Sequence, residues 1–547
     1  MKKKSFCPWS FIGAVIFGLC TVIGKHFFDF GTAPGSFGGL DGMAKYVPVI
    51  VGLILVYYQI LYSLFNRRYM IKQTSLKGWI GRTADFYEKH IGLITFLVIL
   101  VCWLPYLFVF YPGSVCHDGY NQLNQSVGIK PISNKHPILG TYFLGLFFQA
   151  GRLVNDNFGI FLYICFQTLV LTIIFASSVV YIRKIGMPLK ISFLVMLYFA
   201  LVPVWGAYTQ AVVKDSLYSG IFLWFVLCFL YLADTLFSAE KKVPAGRQLI
   251  GFGISAFLVC ALRQNGKYIV FPAVLILTVV SFKKWKKILL VFLALSMVVA
   301  VYDKGIVPAT GATPISRRAA YSVPFQQTAK YLRDYPQDVT EEEYNAIDQV
   351  LRADVIAERY NPRISDPVKN TFRNEASSKA IRDYLKVWFR MFWKHPGIYL
   401  EVFLQQCSGY LDPFHLNCPM GNFQNYIKGA PIATGDLDIH YVQSDQLRNR
   451  MSSYENLWME IFPLTLLTYP GVYTWITLFC ILLLCKKKKW KQLTVMLIPV
   501  FHILTCMASP VNGYLRYTLP LMAVMPFLLA WTVKEARIGD EGKEIIK

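Results

Sequence analysis

Twelve apolar stretches dominate the chain, at 9–24, 46–65, 91–111, 158–182, 191–209, 217–236, 249–262, 268–282, 288–303, 461–485, 492–509 and 517–533. A run of about 20 apolar residues is enough to cross a bilayer as a helix. In lipid each backbone polar group must be satisfied within its own segment, which leaves helices as the structure these runs can take. The expected fold is therefore an all-α membrane protein with about 12 transmembrane helices. A composition that is 55% hydrophobic, with mean hydropathy +0.42, agrees with that class.

The net charge of +23 has a matching explanation. Of the 55 Lys and Arg residues, 28 fall in loops and tails on one side, 9 in short loops on the other and 18 in one long segment. Asn66-Arg67-Arg68, Arg183-Lys184, Lys241-Lys242, Lys283-Lys284-Trp285-Lys286-Lys287 and Lys486 to Lys489 all share the first side. A Lys/Arg excess of this kind marks the cytoplasmic face. Both termini are then expected in the cytoplasm of a multi-pass membrane protein. There is no compact basic domain, so nucleic acid is not an expected partner. The start, Met1 to Lys4 followed by Trp9 to Ile23, looks like a signal peptide. It lacks a clear small-residue cleavage site and is read as a retained first helix.

Four regions are expected. Residues 1–90 form a two-helix membrane segment with a basic inner loop, and 91–303 a transmembrane core with an outer loop at 112–157. Residues 304–460 form an extracytoplasmic, mainly helical insert, and 461–547 a three-helix segment with an inner tail. Residues 138–148 are too short to span and fit a helix lying in the interface or re-entering it. The short runs 249–262 and 268–282 read as tilted spans or a broken hairpin. Within the insert, Glu341 to Arg359 and Ser378 to Trp393 carry helical apolar spacing. The twelve cysteines show no metal-type spacing and read as small apolar packing residues, with a Cys407–Cys418 disulfide left open.

The polar groups at span ends all fall on the side opposite the basic loops. Asp118, in Cys116-His117-Asp118, sits just outside a span; with aromatic neighbours excluding water it would act as a general base, and the plainer role is capping the helix near Gly119. His117 and His136 are candidates for binding an anionic oxygen, relaying a proton or, with Asp118, ligating a metal. No ligand-spacing signature supports a metal, so no cofactor is certain and a divalent metal stays open. Lys214-Asp215 opens a span. Asp suits a helix N-terminus, and Lys suits it only beside an anion such as a lipid phosphate, unless the two form a plain ion pair. Arg263, in Arg263-Gln264-Asn265, and Arg516, before Tyr517, offer planar guanidinium groups for phosphate or, more plainly, snorkel to headgroups. Gln326 and Gln327 would bond sugar hydroxyls or satisfy a tight turn. No P-loop, dinucleotide-binding glycine motif, HExxH or GxSxG is found.

Taken in order, Tyr111-Pro112-Gly113, Asp118, Gln122, His136-Pro137, Thr141, Gln167, Lys214-Asp215, Arg263-Gln264-Asn265, Pro324, Gln326-Gln327 and Arg516-Tyr517 resemble a bacterial family of multispanning membrane proteins. Its architecture is similar to that of the GT-C glycosyltransferases, the class that includes protein mannosyltransferases. The resemblance covers roughly residues 90–530. It implies a polyprenyl-phosphate-linked sugar as donor and a cell-envelope glycan or polymer as acceptor, with the bilayer as surrounding. Asp118 would be the catalytic residue. His117, His136, Lys214, Asp215, Arg263, Asn265, Gln326, Gln327, Arg516 and Tyr517 would bind substrate. Many GT-C enzymes carry paired acids after their first span, whereas here a single Asp follows the third, beside His117. The base and the need for metal therefore stay open. Two other readings stand beside this one: a polymerase or ligase of lipid-linked glycans, and a non-enzymatic transporter or flippase of a lipid-linked precursor.

Overall fold

A computed structural model describes residues 6–31, 46–67, 77–238, 244–281, 285–416, 418–428 and 437–544. Lys2, Lys3, Lys4, Arg68, Lys241, Lys242, Lys283 and Lys284, which contribute to the charge asymmetry, lie outside them. The described chain is all-helical, with only isolated β-bridges between extended segments. The helices are α1 (Pro8–Phe30), α2 (Val47–Asn66), α3 (Gly78–Lys89), α4 (Ile91–Val109), α5 (His117–Ser126), α6 (Ile138–Arg152) and α7 (Asp156–Lys184). There follow α8 (Leu189–Leu201), α9 (Pro203–Thr209), α10 (Lys214–Phe237), α11 (Gly246–Leu262), α12 (Gly266–Val280) and α13 (Trp285–Val301). The later helices are α14 (Ser322–Asp334), α15 (Glu341–Asp348), α16 (Ser378–Lys394), α17 (Pro396–Leu411), α18 (Asp445–Glu460), α19 (Pro470–Lys486), α20 (Leu493–Met507) and α21 (Leu515–Glu544).

Among the described residues, 7 helices are long and apolar enough to cross a membrane, or 8 if α8 and α9, bent by 49° at Val202, form one span. Pro203 explains that bend, because it cannot donate to the preceding turn. Four further apolar helices, α11, α12, α19 and α20, have 15 to 17 residues. At 1.5 Å per residue they reach about 23–26 Å, short of the ~30 Å hydrocarbon core. Helices of full spanning length thus fall short of the twelve counted from sequence. The interruptions are polar or proline-bearing: Arg263-Gln264-Asn265 separates α11 from α12, and Pro470 opens α19.

Helix α10 lies at the centre. It packs against α7, α11, α20 and α21, and its side chains are buried nearly all round. A helix apolar on every face belongs inside a bundle. At the periphery α2 has almost no buried surface and packs against α1, which leans on α17 and α19.

The long segment after α13 has its own core, built on Phe325, Tyr331, Ile347, Leu351, Tyr384 and Met391 from α14 to α16. The stretch Glu341 to Arg359 is not one helix. It stops at Asp348 and resumes as one turn at Ala353–Ile356, and Arg373 holds the break by donating to the Asp348 carbonyl and carboxylate. The chain then returns from α17 in an extended arm, where Phe423 and Tyr441 pack against Tyr106, Phe110 and Ala207. Cys407 and Cys418 are both free thiols.

Candidate functional site: a cluster of carboxylates and cations

Two extended segments lie side by side at one end of α10. Ser114 and Ala211 form a parallel bridge, with Ser114 N–H donating to the Gln210 carbonyl at 3.0 Å and Val212 N–H donating to the Ser114 carbonyl at 2.8 Å. Gln167 clamps the second segment, donating to the carbonyls of Thr209 and Ala211. Each segment then turns into a helix, α5 after Cys116 and α10 after Val213. Asp118 and Asp215 therefore occupy the same register, each at the second position of its helix. The approach is close. A Cβ on Gly119 would stand 2.0 Å from the Val212 carbonyl oxygen, so only glycine fits there.

One guanidinium joins the two aspartates. Arg516, in the first turn of α21, donates from Nη2 to Asp118 Oδ2 and from Nε to Asp215 Oδ2. Asp215 is fully buried, and Arg263 Nη1 lies 3.0 Å from its other oxygen. That second contact is one of charge: neither atom has a hydrogen-bond partner in good geometry. Tyr218 and Tyr517 place their rings 5.5 and 5.3 Å from the Arg263 guanidinium, a cation–π sandwich. Lys214 Nζ stands 3.8 Å from Asp118 Oδ2. Asp118 and Lys214 are the partly exposed members, with side chains 27% and 20% accessible, so access to the cluster runs past them.

Aromatics were expected to raise the basicity of Asp118; the structure surrounds it with cations instead. Burial works to raise its pKa, but Lys214, Arg516 and His136 outweigh that and hold the carboxyl well below the usual range. Nor does Asp118 cap α5, since its carboxylate is spent on Arg516 and no side chain caps that helix. Lys214 and Asp215 are not each other's partners either: Asp118 takes the lysine and the arginines take Asp215. His136 is buried beside this group, its Nδ1 without a partner. Burial, then Lys214, lower its pKa to about 4, so it is neutral at pH 7. Three permanent cations thus face two carboxylates.

Other residues singled out from sequence fall near the cluster or away from it. His117 is exposed, its ring set edge-on to Tyr426 at 5.9 Å. Asn265 caps α12 by position, without a side-chain hydrogen bond. Gln264 donates to the carbonyl and side chain of Asn134, tying the Arg263 turn to the loop that carries His136. Gln326 and Gln327 belong elsewhere, as corrections to their reading as sugar ligands. Gln326 donates to the Asn361 and Ile364 carbonyls, and Gln327 bridges Tyr399 and Trp388 in the core of the long segment. Both ends of Gln327 and the Gln326 Nε2 are engaged there, while Gln326 Oε1 is buried without a described partner. Among the described residues no group of three or more His, Cys, Asp or Glu side chains could hold a metal ion.

Sequence reasoning missed Tyr218 and Tyr426. Tyr218 was legible, because it lies one turn from Asp215 on the same face of α10. Tyr426 comes from the returning arm, distant in sequence, and carried no local signal.

The fold and cluster define an all-helical protein of multi-pass membrane type, with a buried carboxylate–guanidinium cluster at one end of its central helix. Residues 130–545 match a family of unknown function, DUF6020, and the chain belongs to that family. The matched span includes His136, Lys214, Asp215, Arg263 and Arg516 and begins after Asp118. No curated protein and no solved structure matches the chain.

Proposed function

We propose that this protein is an integral membrane glycosyltransferase of GT-C type, moving a sugar from a polyprenyl-phosphate donor to a cell-envelope acceptor at the outer face of a bacterial plasma membrane. In this reading α11, α12, α19 and α20 cross the membrane as short or tilted spans, which brings the total to twelve. The supporting observation is the cluster itself. Five charged side chains from α5, α10, the 263–265 turn and α21 meet with one positive charge in excess. Helices α5, α10, α12 and α21 all begin there, adding the positive ends of four dipoles. A site so built favours an anion such as a phosphate.

The chemistry follows from the partners. The acceptor hydroxyl oxygen attacks the anomeric carbon while the bond from that carbon to the phosphate oxygen breaks, with inversion. The phosphate leaves with its charge held by Arg516 and Lys214. Asp118 takes the hydroxyl proton. With Arg516 and Lys214 on its carboxylate it is a weak base. When the donor's phosphate shares those cations, Asp118 loses part of their pull and its basicity rises. Arg263 and Asp215 touch no reacting atom in this scheme and position Arg516.

The test is mass spectrometry of envelope polymers from cells with and without the gene. The expected result is a sugar that disappears with the gene and returns with the wild type, but not with Asp118→Asn inserted at equal level. An unchanged envelope, or full activity in Asp118→Asn, overturns the assignment. In vesicles, movement of a lipid-linked sugar without a new glycosidic bond would indicate transport instead.

A further inference from the structure

Between α12 and α13 lies an open groove of about 430 Å³, lined by Phe271, Pro272, Val299 and Ala300 and by the charged Lys267, Asp303 and Lys304. Ligand pockets fall between about 300 and 1,000 Å³, so the groove has room for a ligand segment. Its walls are apolar and its rim is charged. Lys267 is paired with Asp303 at 2.5 Å, and Lys304 is exposed with no described partner, leaving the rim one positive charge in excess.

Both walls depart from regular helix. Pro272 removes one rung from the hydrogen-bond ladder of α12. Opposite it, Tyr302–Ile306 is a π-helical turn, which changes the direction of Asp303 and Lys304. Such turns recur at functional sites. This one also reaches the charge cluster: Leu139 N–H donates to Tyr302 Oη at 3.2 Å, three residues after His136. From the other wall Gln264 holds Asn134, two residues before His136. Lys267 is the second residue of α12, directly after the turn that carries Arg263. The two sides of the groove therefore grip the loop that carries His136.

We propose that this groove seats the first isoprene units of a polyprenyl phosphate, with its phosphate at Lys267 and Lys304 on the way to Lys214 and Arg516. Charge complementarity and the apolar walls select an anionic lipid, and only the class of lipid rests on the glycosyltransferase reading. A rim lysine paired to a carboxylate gives up part of that contact to an arriving phosphate, and Lys304 is free to receive one.

The test uses the full-length protein in phosphatidylcholine vesicles containing a trace of diazirine-bearing polyprenyl monophosphate. After irradiation, adducts are mapped by peptide mass spectrometry. Adducts are expected on 266–275 and 295–304, removed by excess unlabelled polyprenyl phosphate but not by equal phosphatidylglycerol or inorganic phosphate. Ala300→Trp, which fills the groove, should lower labelling at least about tenfold, equivalent to 1.4 kcal/mol. Lys304→Gln should lower it less. Labelling spread evenly over membrane-facing helices such as α4, or equal competition by phosphatidylglycerol, overturns the groove. Mapping of the wild type decides this even where a variant fails to fold. Labelling in the groove without any sugar transfer would sink the glycosyltransferase reading alone, and transfer with labelling elsewhere would sink the groove alone.

Discussion

Replacing Asp215 with Asn keeps the shape of the side chain and removes the carboxylate charge that Arg263 and Arg516 share. Asp215 is fully buried, and the two arginine side chains are 12% and 8% accessible, so water cannot replace the lost charge. Deleting one member of a buried pair costs about 3–5 kcal/mol, because the partner's charge stays behind unpaired. Arg516 keeps Asp118 and Arg263 keeps its two aromatic rings, which puts the expected loss near the lower end, about 3 kcal/mol. Asp118→Asn, at a side chain 27% accessible and with Arg516 still held by Asp215, should cost less than Asp215→Asn. The assay is reversible unfolding of the purified protein in bicelles, run as a double-mutant cycle with Arg263→Gln. Once Asp215 is gone, removing Arg263's charge should relieve part of the damage, giving a coupling of about 1–3 kcal/mol. If Asp215→Asn costs under about 1 kcal/mol, or the two changes add, the cluster is solvated and the reasoning from burial fails.

Glu455 offers a pH test. Its carboxyl is buried, the Asn425 amide is its described hydrogen-bond donor, and burial pushes its pKa up to about 8. A folded pKa above the unfolded one means its contribution is fully present below about pH 4.3 and is lost as pH rises toward 8, about 3 kcal/mol by pH 7. Glu455→Gln should therefore unfold at similar temperatures at pH 5 and pH 8, while the wild type loses stability; parallel curves would refute this. His136 has the opposite sign: with its pKa lowered to about 4, its stabilising effect is present above about pH 6.5 and is lost as pH falls. His136→Gln should flatten the acid side of the melting profile, and an unchanged acid limb would count against a buried neutral imidazole. Gly119→Ala sets a Cβ against the Val212 carbonyl and should cost about 1–3 kcal/mol by overpacking, with transfer activity falling as Asp118 is displaced. An active Gly119→Ala protein would show that the register of the two aspartates is not needed.

Much of the fold was legible because hydrophobic length is a local signal. The runs that became α4, α7 and α10 needed only counting, and the helix after His136 was marked by an apolar run too short to span. The site was legible for a different reason. Lys214, Asp215, Arg263 and Arg516 stand at the ends of apolar runs, where an unpaired charge is costly, so each announces a partner without naming it. The partners themselves were not readable. Nothing near Asp118 shows that Arg516 binds it, or that Lys214 faces Asp118 across two helices instead of its own neighbour. Gln326 and Gln327 misled because an amide pair on apolar flanks has the same local pattern whether it binds a ligand or a backbone carbonyl. Only the fold brings Asn361, Ile364 and Tyr399 within their reach.

The third cation is the feature that packing does not explain. Two carboxylates and two guanidiniums already balance, and Arg516 with Arg263 satisfies Asp215 and ties α21 to α5 and α10. Lys214 adds a further charge at the first turn of α10, where the helix dipole opposes it. Its nearest described carboxylate, Asp118, is 3.8 Å away and already bonded to Arg516, so the contact compensates it poorly. A purely structural cluster would be more stable with an apolar residue there. A site that must be short of one negative charge until a ligand arrives would keep it, and the partial exposure of Lys214 and Asp118 leaves that ligand a way in.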